Sequence, residues 1–91
     1  MPASSKEELR VPHNQGATAY PVQIAIVLDD AGEPADGDYH AAAWDGRDAV
    51  LLIGADSPVP LDVGEYAVWT RLDAGVQRPV RRSGTLTVGT P

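Results

Sequence analysis

The sequence predicts an all-β fold, a Greek-key sandwich of about seven short strands, and three observations carry that prediction. Apolar residues recur at period two, as in Val22, Ile24, Ile26 and Leu28, and no useful stretch shows the helical period. Clusters of turn formers separate the candidate strands, among them Asp29 to Asp38 and Gly54 to Pro60. The stretch from Leu61 to Thr70 then sets Leu61, Gly64 and Tyr66 at the spacing of a tyrosine corner. In such a corner the ring is buried and the hydroxyl returns to the backbone a few residues upstream, fixing the crossover between the two sheets of an immunoglobulin-like sandwich.

Residues 1–6 are expected to form a flexible N-terminal arm and residues 7–91 a single β-sandwich domain. Glu8 to Val11 reads as a short first strand, an edge, ended by Pro12 and the turn-prone His13 to Gly16. Val22 to Leu28 is the clearest core strand. After the acidic loop, Tyr39, Ala41 and Ala43 alternate with His40, Ala42 and Trp44; the alanines leave its buried face open, and a helical turn competes. Asp45-Gly46 signals a hairpin to Val50 through Ile53. The corner feeds a strand to Leu72, with Tyr66, Val68 and Thr70 inward and Ala67, Trp69 and Arg71 outward. The last strand, Val80 to Val88, closes the core with Leu86 and Val88 and turns Thr85 and Thr87 to solvent. Pro79 stands at its start, where a missing donor costs least.

With 91 residues the chain has room for one domain and a thin core. It contains no Phe and no Cys, so the interior rests on aliphatic residues and on Tyr20, Tyr39, Trp44, Tyr66 and Trp69. The lack of Cys removes disulfides, thiolate metal sites and thiol catalysis together, and fits a reducing cytoplasm. The apolar runs fall far below the ~20 residues that cross a bilayer. The first residues have no apolar signal segment, so no classical export is expected.

A net charge of -6 argues against generic nucleic-acid binding, which wants a basic surface. The charge is uneven along the chain. Between Asp29 and Asp48 carboxylates stand against Arg47 alone, whereas Arg71, Arg78, Arg81 and Arg82 stand against Asp73. This asymmetry suits electrostatic pairing between copies or with a partner, or an ordinary solvated surface.

Little in the sequence points to catalysis. The acidic loop lacks the spacing and closing Glu of an EF-hand, and His13 and His40 have no second ligand at zinc spacing, so no metal is assigned. His13 is expected in a loop and His40 on the outer strand face. The serines lack the Gly-x-Ser-x-Gly context of a nucleophile elbow, so neither an enzyme nor a cofactor is expected. The candidate binding surface is instead Trp69 with Arg71, Arg81 and Arg82 on the outer face of the last two strands, since Trp and Arg concentrate interface energy. The competing reading is that the Arg stems shield Trp69.

Three runs carry a resemblance: Ser4 to Pro12; Glu33 to Trp44; and Val63 to Arg71 together with Pro79 to Val88. In that order they resemble small immunoglobulin-like proteins encoded among the structural genes of tailed phages and prophages of actinobacteria. The similarity spans nearly the whole chain, and the last third is its most specific piece. It implies a non-enzymatic virion structural protein, assembled in the bacterial cytoplasm and attached to the capsid or the head-tail connector. Partners would be capsid or connector proteins or further copies of the chain, with no nucleic acid and no membrane. The alternatives are a carbohydrate- or host-surface-binding module and a free regulatory protein.

Overall fold

The computed structural model describes residues 1–90 and shows six antiparallel strands in one curled sheet, with helix confined to two short 3-10 turns. The strands are β1 (Lys6–Pro12), β2 (Val22–Leu28), β3 (Tyr39–Asp45), β4 (Asp48–Gly54), β5 (Gly64–Leu72) and β6 (Val80–Val88). These are the six segments read individually from the sequence. A seventh is not found among the described residues, where pairing outside the named strands is limited to single bridges at Pro2–Gly89 and Ala74–Gln77.

Across the sheet the order is β1-β4-β3-β2-β5-β6, so β2, β3 and β4 are consecutive neighbours and β5 returns to lie beside β2. The β3–β4 turn is Gly46–Arg47, with Gly46 at φ 62. A positive φ at the first central position alone is the type II′ geometry, whose twist suits a hairpin and which glycine adopts without cost. The curl centres on β3. Its first half, Tyr39–Ala42, pairs with β2, and its second half, Ala43–Asp45, pairs with β4.

The curl folds the β1–β4 wing onto the β2–β5 wing. Val11, Val22, Ile24, Ala49 and Val68 form the buried cluster, with Leu9, Trp44, Leu51 and Leu86 packed against it. Alternation explains the membership: odd positions of β1 and β4 and even positions of β2, β3, β5 and the end of β6 face inward. His40 lies opposite Ile24, which is fully buried, so His40 is on the core side and not the outer face expected for it.

Two local devices fix one end of the sheet. The Tyr66 ring is buried and its hydroxyl donates to the Asp62 carbonyl at 2.9 Å. Gly64 carries no steric demand there, because a Cβ would lie 3.7 Å from the Tyr66 ring, an ordinary contact. Leu61 is half-buried beside this turn. At the same end, the segment expected to be a free arm is hydrogen-bonded to the end of β6: Ala3 N–H donates to Gly89 O (2.9 Å) and Gly89 N–H to Met1 O (2.8 Å). Lys6 already belongs to β1. Gly54 is indispensable to this closure, since its φ is 96 and a Cβ would fall 2.1 Å from the Ser5 carbonyl oxygen.

Candidate functional site

The four residues expected to share an outer face do not. Cross-strand pairs place Trp69 opposite Arg82 and Ala25, and Arg71 opposite Gln23 and Val80. Arg81 pairs with Thr70, an inward residue that is 3% exposed, and so lies on the other side of the sheet. Consecutive residues of a strand alternate faces, so Arg81 and Arg82 cannot both point outward. A bulge at Val68/Trp69, which leaves Ser83 as the extra residue, decides that Arg82 is the outward one.

Arg71 is a packing residue. It is 8% exposed, donates from Nε to Gln23 Oε1 and from Nη1 to Asp36 Oδ1, each at 2.6 Å, and lies 4.1 Å from the Tyr39 ring centroid. The acidic loop between β2 and β3 therefore laps over the outer face and is pinned by Arg71. Arg82 repeats the device with Asp29, and Arg78 adds a longer contact to Asp36. The acidic and basic segments seen in the sequence thus meet within one molecule at these pairs, whereas the expectation was pairing between copies or with a partner, or a solvated surface. Beneath this cover Ala25 and Ala67 are fully buried. Trp69 is half-buried, not an exposed anchor, and among the described residues its buried indole N–H has no partner, nor has the buried Tyr39 hydroxyl. Ala25 stands between Tyr39 and Trp69 in one cross-strand row, its small side chain leaving space for both rings.

Two other features present unsatisfied chemistry. The first is a fork between β3 and β4. Their ladder ends at Ala43–Val50, although β3 extends back to Tyr39 and β4 forward to Gly54. The parity of the antiparallel ladder turns the N–H and C=O groups of Ala41 and Leu52 into the gap. Its lining is Ala41, Ala43, Val50, Leu52 and Pro58, with Glu8 at one side engaged to Arg10. Leu52 is 47% exposed.

The second is a cleft of about 180 Å³ between the 3-10 turn at Gln15–Ala19, the end of β5 and the start of β6. Ala17, Leu72 and Pro79 form apolar walls, and Thr70 lies at the base; His13, Asn14 and Arg81 supply the polar groups. His13 Nδ1 donates to the Val11 carbonyl (2.9 Å), and the ring meets Trp44 edge-on at 5.2 Å. Trp44 in turn donates its indole N–H to Tyr20 O at 2.8 Å. Neither feature is legible in the sequence: the fork depends on where β3 changes partner, and the cleft joins residues from three distant segments.

Among the described residues no group of three or more His, Cys, Asp or Glu is placed to hold a metal ion, and no helix is long and apolar enough to cross a membrane. Comparison with protein-family models, curated proteins and solved structures returned no match.

Proposed function

We propose that the chain is a non-enzymatic structural module that docks on a protein assembly through the β3–β4 fork, and that the assembly is a tailed-phage virion, at its capsid or head-tail connector. One observation carries the docking reading: among the described residues the fork is the strand edge left unguarded. Exposed edges invite pairing with another chain, and proteins blunt them with charge, bulges or cover. The margin strand β1 carries Lys6, Glu7, Glu8 and Arg10, and the margin strand β6 carries Arg81, Arg82 and the bulge at Ser83. The fork offers backbone donors and acceptors between Ala, Val and Leu side chains instead. An extended partner segment would complete both ladders and cover Leu52.

The virion assignment rests on the resemblance carried by the three sequence runs. The same family reading treats the curled sheet as an immunoglobulin-like Greek-key sandwich. The return of β5 beside β2 and the Tyr66–Asp62 bond support that reading. The Trp69 surface supports neither a protein hot spot nor a sugar platform, because the ring is half-buried and the outward arginines of its face, Arg71 and Arg82, are already engaged by Asp36 and Asp29.

Leu52→Lys tests the docking site. Leu52 is exposed, so the melting midpoint should stay within a few degrees of wild type while association with particles is lost. Full particle incorporation of a folded Leu52→Lys chain would rule out the fork.

A further inference from the structure

Arg81 stands apart from the arginines around it. Arg71, Arg78 and Arg82 each meet a carboxylate, whereas Arg81 meets none among the described residues. Arg47, exposed in the β3–β4 turn, also meets none, but Arg81 differs from it in bordering an apolar cleft.

We propose that the cleft is a binding pocket for a carboxylate carried on a small apolar body. The volume, about 180 Å³, suits one side-chain-sized group and is too small for a nucleotide or a cofactor. Ala17, Leu72 and Pro79 would take the apolar body. The Arg81 guanidinium presents paired N–H donors that match a carboxylate, and a charge-assisted contact beside low-dielectric walls is stronger than one in open water. Asn14 contributes an amide that makes no capping bond to the turn it precedes. His13 is held by the Val11 carbonyl and the Trp44 edge, and Thr70 by Ser83 Oγ at 2.7 Å, so the base of the cleft is already ordered. The polar and apolar parts thus converge in a site that needs no rearrangement to accept its ligand.

The ligand chemistry has two sources, a free short-chain carboxylic acid or the C-terminal carboxylate of a partner ending in a branched aliphatic residue. Titration of the isotopically labelled full chain, followed by amide NMR shifts, separates them. The probes are 4-methylpentanoate, its neutral amide, and a pentapeptide ending in Leu with a free or an amidated C-terminus. Saturable shifts at Ala17, Leu72 and Arg81, with the carboxylate forms at least about tenfold tighter than the amides, are the expected result. Tighter binding of the peptide than of the acid identifies a protein terminus, and the reverse identifies a free acid. Arg81→Gln should erase the preference for carboxylate, and Ala17→Leu, which fills the cleft from the opposite wall, should weaken both forms. Equal affinity for acid and amide, an undiminished preference in Arg81→Gln, or no saturable shift with any carboxylate would overturn the proposal.

Discussion

Tyr39 is held with its ring under the Arg71 guanidinium and its hydroxyl buried without a partner. Burial pushes its ionisation above the usual phenol range, opposed by Arg71 and reinforced by Glu33 and Asp38. Because the folded value is raised, the stability it contributes is complete below the unfolded value of about 10 and is lost as pH rises through the higher folded value. Tyr39→Phe should therefore flatten the alkaline limb of a pH-melting profile. It should leave neutral-pH stability unchanged or higher by up to about 1 kcal/mol, since an orphan hydroxyl is removed. A marked loss at neutral pH would show that the hydroxyl has a partner. Tyr66 is the opposite case. Its hydroxyl is bonded to Asp62, so Tyr66→Phe should cost ~1 kcal/mol in denaturant titration, and an unchanged midpoint would count against that bond's contribution.

At the scale of elements, the acidic loop is fastened to the outer face by arginines of β5 and β6. Arg71→Ala removes the Gln23 and Asp36 bonds and the stack on Tyr39 together. Asp36 is 80% exposed, which discounts the ion pair, so the expected loss is about 2 kcal/mol. Amide exchange should accelerate across residues 29–38 while β2 stays protected; uniform acceleration would place Arg71 in the global core. The individual strands were legible because alternation and turn residues are local properties, as in Val22 to Leu28 or the Asp45-Gly46 hairpin. The partner switch of β3 was not, since three alanines give no facial preference. Nor was the division of Arg81 from Arg82, which a single bulged residue in β6 decides. Trp69 looked exposed because its outward parity was correct, while the acidic loop that Arg71 and Arg82 hold against the same face comes from a segment far earlier in the chain.

At the scale of the whole molecule, the chain is a slab of 40 × 27 × 19 Å whose margins are defended and whose middle is open at the fork. Charge that looked segregated along the sequence is partly paired across the outer face, by Asp29–Arg82 and Asp36–Arg71. Long-range attraction between acidic and basic poles is therefore a weaker basis for assembly than strand pairing at Ala41 and Leu52. Strand pairing also predicts a partner that donates an extended, apolar segment. The docking proposal is tested by quantitative mass spectrometry of purified tailed-phage particles from a host whose phage or prophage genome encodes this chain, with its abundance set against the major capsid protein. The expected result is a fixed stoichiometry, near that of the shell subunit for a capsid decoration and much smaller for a connector. Absence of the chain from intact particles would contradict it.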